Sequence, residues 1–113
     1  MAGPEDEKPI VSLLVDDPVE RPRIEAFVLG LSDSVDSLQD LEHGGDFHRI
    51  EESARALAAQ AKGFGFPPLF FAAQDVGAAA ALRDAKRTRE AIVEFTDVAR
   101  RVRLGHRGAA LPG

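Results

Sequence analysis

Apolar residues along the chain recur with the period of helices and nowhere alternate with the period of strands. A short apolar run at residues 10–14, closed by Asp16, Asp17 and Pro18, predicts a brief lead-in helix or extended segment ahead of the first long element. Ile24, Phe27, Val28, Leu31, Val35, Leu38 and Leu41 then mark one face of a helix over about 19–42. Pro22 must lie in or just before its first turn, because deeper in the helix it would remove a hydrogen bond and clash with the preceding turn. Gly44 and Gly45 stop that helix, and Asp46 is placed to cap the next with its carboxylate.

The second long segment repeats the pattern with Ile50, Ala54, Leu57, Ala61 and Phe64, predicting a helix over about 46–62 that ends at Gly63, Gly65, Pro67 and Pro68. Leu69, Ala72, Ala73, Val76 and Ala80 predict a shorter helix whose small side chains admit a close neighbour; Gly77 weakens it by about 1 kcal/mol relative to alanine. Ala85, Thr88, Ile92, Phe95, Ala99 and Val102 form the apolar stripe of a final helix ending in Arg100, Arg101 and Arg103, cations that suit the negative end of its dipole. Short connections make successive helices antiparallel neighbours. The expected fold is all-α, an up-down antiparallel four-helix bundle with a short N-terminal lead-in helix, spanning 10–104 between a disordered tail at 1–9 and a flexible tail at 105–113.

Composition narrows the chemistry more than the fold. The 113 residues suit one domain and include no cysteine, which removes disulfides, thiolate nucleophiles and sulfur-ligated metal sites. The longest apolar stretch, 63–73, is too short for a membrane helix of about 18 residues or more and contains two prolines, so no membrane association is expected. The N-terminal residues lack the basic start and apolar core of a secretory signal, and cytoplasm is the expected compartment. The formal charge of −5 conceals an asymmetry: residues 1–82 carry −9 and residues 83–113 carry +4. Such a chain is a poor candidate for nucleic acid, and the basic last helix, with its interleaved acids, is expected to be a solvated face or to pair with the acidic first half.

The segment 46–66, DFHRIEESARALAAQAKGFGF, resembles the core motif of histidine-containing phosphotransfer (HPt) domains. In that family an aspartate opens a helix, an Ala-His-x-Leu-Lys-Gly-Ser-Ala stretch follows, and an aromatic-glycine pair closes it. Asp46 matches the opening, Ala54, Leu57 and Ala61 the apolar frame, and Phe64 with Gly65 the close. The lead-in at 10–18 and the helical face at 24–41 extend the likeness to about 90 residues, mostly as helical patterning.

The departures fall on the functional positions. Arg55 stands where the phosphoaccepting histidine belongs, Ala58 replaces the lysine, and Ala59 and Gln60 replace Gly-Ser. A guanidinium stays protonated and has no lone pair for phosphoryl transfer, so Arg55 is not a phosphoacceptor and no catalytic residue is assigned. The resemblance implies a non-catalytic signalling module of a two-component phosphorelay, which docks the receiver domain of a response regulator or engages a histidine kinase.

His48, Arg55 and Lys62, seven residues apart, share a stripe flanked by Glu51, Glu52, Ala58 and Ala59, and this is the expected partner-binding surface. Arginine is suited to paired hydrogen bonds with the acidic pocket of a receiver, and the alanines leave a low surface for approach. The plain alternative makes Arg55 a solvated helix residue. Two other readings stand: active phosphotransfer through His48, and a helical interaction or dimerisation module outside phosphorelay. His43 and His106 are read as exposed linker residues. His43, Asp46 and His48 match no metal-ligand spacing, Ser32, Ser34 and Ser53 have no base partner for hydrolysis, and no cofactor is expected.

Overall fold

A computed structural model describes residues 8–110, with side chains through 106. Every regular element among them is helical: α1 (Arg21–Leu29), α2 (Leu31–His43), α3 (Phe47–Gly63), α4 (Pro67–Ala81) and α5 (Ala85–Ala110). The helix expected over 19–42 is divided at Gly30, which keeps right-handed dihedrals (φ −84°, ψ −7°) and donates its N–H to the Ala26 and Phe27 carbonyls at 3.2 Å each. Hydrogen bonding continues past the glycine, with Ser34 N–H bonded to the Gly30 carbonyl at 3.2 Å, so α1 and α2 form one arm.

Helix boundaries follow local chemistry. Pro22 lies in the first turn of α1, and Pro67 and Pro68 open α4 instead of preceding it, since a first-turn proline lacks only an N–H that the helix leaves unpaired. Gly45 supplies the positive φ (69°) of the α2–α3 turn, and the Asp46 carboxylate accepts the Arg49 N–H at 3.1 Å, capping α3. Asp84 does the same for α5, accepting from Arg87 N–H at 3.0 Å.

Helix α3 packs on α4, α4 on α5, and α2 touches both α5 and α3, which closes the group around one core. The thinnest dimension, 19 Å, corresponds to two helix layers of roughly 10 Å each. Leu31, Leu38, Ile50, Leu69, Val76, Phe95 and Val102 are sealed in the centre. Phe27 anchors the outer end of the arm, its ring 5.1 Å from Phe64 and 6.0 Å from Phe66.

The lead-in is not a helix. Residues 8–12 have no regular secondary structure and 13–16 form turns, with two of their amide hydrogens bonded to other parts of the bundle. Ile10 N–H donates to the Arg101 carbonyl and Leu13 N–H to the Gly65 carbonyl, both at 2.9 Å, while the buried Ser12 hydroxyl donates to the Phe64 carbonyl. Lys8 and Pro9, expected in the disordered tail, belong to this strap through the Lys8 carbonyl, which accepts from Arg101 Nε at 2.8 Å; residues 1–7 lie outside the described residues.

The C-terminal tail expected from residue 105 is also different at its start, since α5 continues to Ala110. Gly105 is buried against the strap, where a methyl group would overlap the Ile10 carbonyl; the glycine serves close packing there and does not end the helix. Among the described residues no helix is long and apolar enough to cross a membrane.

Candidate functional site

The Asp46 cap fixes the start of α3, and its apolar stripe fixes its rotation. Ile50, Ala54, Leu57, Ala58 and Ala61 turn inward, which leaves His48, Arg55 and Lys62 on the exposed side. The Arg55 side chain is 71% exposed and its guanidinium pairs with the Glu51 carboxylate one turn earlier. His48 Nε2 lies 3.5 Å from Glu52 Oε1, with both side chains largely in solvent. Lys62 Nζ stands 5.6 Å from the centre of the Phe70 ring on α4, within cation–π range.

Four of the seven residues expected at the partner surface, Arg55, Ala58, Ala59 and Lys62, line one open groove of about 740 Å³ between α3 and α4. The other three stand apart from it. Glu52 lines a different depression with Ser37, Asp40 and Arg49 on the α2 side, while His48 and Glu51 line neither. Ala58, expected as an exposed low surface, is 6% exposed and packs into the core, so it forms floor and Ala59 forms rim.

The opposite wall was missing from the sequence reading. Phe70, Gln74, Asp75, Gly77 and Ala78 of α4 complete the groove. Phe70, Gln74 and Ala78 are spaced by four, which is a helical stripe; the inward residues Leu69, Ala72, Ala73, Val76 and Ala80 are buried as expected, but periodicity does not say which flank of α4 lies beside α3. Gly77 lies buried against α3, at a spacing that would still admit a methyl group: a Cβ there would meet Ala54 Cβ at 3.6 Å and Arg55 Cγ at 3.8 Å.

The groove presents two cationic heads, an aromatic face and one carboxylate above a floor of alanine and glycine. It can receive an acidic protein surface, and Arg55 cannot accept a phosphoryl group. No set of three His, Asp or Glu side chains among the described residues is arranged to hold a metal ion. His43 is the exposed last residue of α2. His106, expected in an exposed linker, is instead a partly buried residue of α5 beside Ile10 and Ser12 of the strap. The basic α5 does meet the acidic arm, through Arg89 Nε to Glu42 Oε1 at 3.6 Å and through Arg103 to the Ser32 hydroxyl. Compared with known protein families, curated proteins and solved structures, the chain matches none.

Proposed function

We propose that this chain is a non-catalytic HPt-like module of a two-component phosphorelay, which docks the receiver domain of a response regulator through α3 and the groove beside it. The observation that carries this reading is the place of Arg55. It is exposed at the rim of an open groove floored by Ala58 and Gly77, at the motif position where the HPt family keeps its phosphoacceptor. The guanidinium meets the acidic phosphorylation pocket of the receiver, Lys62 adds a second cation two turns along, and the low floor lets the partner helix approach.

The arrangement of the bundle is read as up-down and antiparallel. Three-residue connections between α2 and α3, α3 and α4, and α4 and α5, together with the return contact of α5 on α2, support that topology. The setting is cytoplasmic, where receivers and histidine kinases act. Occupying a receiver without exchanging phosphate would hold it away from its kinase or assemble a relay around it.

The test is binding of the purified chain to the receiver domains of its own organism, with phosphate followed in the same reactions. Binding that weakens by about 10-fold or more in Arg55→Glu, without label on the chain, supports docking. Absence of binding to every receiver sinks the proposal. Label that appears on the chain and disappears in His48→Ala replaces it with active transfer.

A further inference from the structure

Three charged side chains line the α3/α4 groove: Arg55 and Lys62 on the α3 wall and Asp75 on the α4 wall. Asp75 is the single charged residue of α4. It is exposed, and among the described residues no hydrogen bond or ion pair reaches it. As the ninth residue of the helix it also lies beyond the first turn, where a carboxylate would complement the dipole. Contacts between the walls fix its height. A Cβ on Gly77 would stand 3.8 Å from Arg55 Cγ, and Lys62 Nζ lies 5.6 Å from the centre of the Phe70 ring, so descending α4 from 77 to 70 ascends α3 from 55 to 62. Asp75 falls between the two cations, about 3 Å in height from the Arg55 position and about 7.5 Å from that of Lys62 at 1.5 Å per residue. Arg55 is held by Glu51 of its own helix and leaves Asp75 without a partner.

We propose that Asp75 sets the specificity of this groove: the receiver surface it accepts carries a lysine or arginine beside its acidic pocket, and a uniformly acidic surface is refused. The inference rests on the receiver-docking reading and adds to it the sign of a third contact. Arg55 and Lys62 alone would attract any acidic surface. With Asp75 between them in height, such a surface brings like charges together as the groove loses water, and a partner cation at that height turns the penalty into a pair. The groove thus selects an alternation of charge on its partner, acid toward α3 and base toward α4.

Titration calorimetry of the full chain against the receiver it binds most tightly tests this, comparing the parent with Asp75→Asn, Asp75→Lys and Arg55→Glu, with circular dichroism to follow the fold. Asp75 is exposed and unpartnered among the described residues, so its variants are expected to fold as the parent does. Asp75→Lys is expected to weaken binding by about 10-fold or more, and Asp75→Asn by less. Each lysine and arginine on the receiver surface is then changed in turn to glutamate; one of these receiver variants is expected to regain binding to Asp75→Lys while losing it to the parent. Asp75→Lys that binds as tightly as the parent, or no receiver variant that restores it, overturns the proposal and leaves docking through Arg55 standing. A parent that binds no receiver, or binding indifferent to Arg55→Glu, overturns the docking reading itself and the proposal with it.

Discussion

Gly77 of α4 faces Arg55 of α3 so closely that a single methyl group on the glycine would fill the space, standing 3.8 Å from Arg55 Cγ and 3.6 Å from Ala54 Cβ. Those are ordinary contact distances, so the site has room for alanine. Gly77→Ala is expected to stabilise the protein by about 0.5–1 kcal/mol, the difference in helix propensity, as measured by urea denaturation. A loss of stability would mean that the two helices approach more closely than described.

Ala78 lines the same groove but is exposed, so its side chain can be enlarged without touching the core. Ala78→Leu is expected to leave stability within about 0.5 kcal/mol and to weaken receiver binding by about 10-fold. Unchanged affinity, measured by titration calorimetry, would place the receiver on another face.

At the other end of the bundle, Gly105 is expected to be intolerant of even one methyl group, because that group would run into the Ile10 backbone. Alanine gains about 1 kcal/mol in helix propensity, but displacing the strap forfeits the Ile10 and Leu13 hydrogen bonds and costs about 1–3 kcal/mol. The net expectation for Gly105→Ala is destabilisation. Faster hydrogen exchange at the Ile10 and Leu13 amides should accompany it; unchanged exchange there would show that the strap is not held by this contact.

Thr88 is fully buried near the start of α5, and its hydroxyl has no hydrogen-bond partner among the described residues. A buried unpaired hydroxyl costs about 1–3 kcal/mol, and valine has nearly the same shape without it. Thr88→Val is expected to raise the thermal midpoint by several degrees, as about 1 kcal/mol does for a domain of this size. A lowered midpoint would reveal a polar partner for this hydroxyl.

Much of the fold was legible because helices are set by local rules. The apolar stripes of α3 and α5, the Asp46 cap, the glycine stop before α3 and the first-turn Pro22 all follow from residues within a turn or two of one another. The candidate site was legible on α3 alone, where a seven-residue spacing puts Arg55 and Lys62 on the exposed side whatever packs beneath them. Its α4 wall was not: the stripe of Leu69, Ala72, Ala73, Val76 and Ala80 marks the buried face, but which flank of that face borders α3 is decided by how the two helices pack.

The lead-in and the end of α5 show the same division. An apolar run as short as 10–14 can be one helical turn or an extended strap, and the choice was made by the Gly65 and Arg101 carbonyls, more than fifty and ninety residues away. The tail read as flexible from residue 105 instead begins inside α5, where Gly105 is needed because Ile10 crosses there and leaves no room for a side chain. Sequence alone determined the helices, their inward stripes and the absence of an imidazole at position 55. Tertiary structure decided which helix faces meet, since hydrogen bonds and close contacts between distant segments depend on where the chain returns and leave no periodic trace along it.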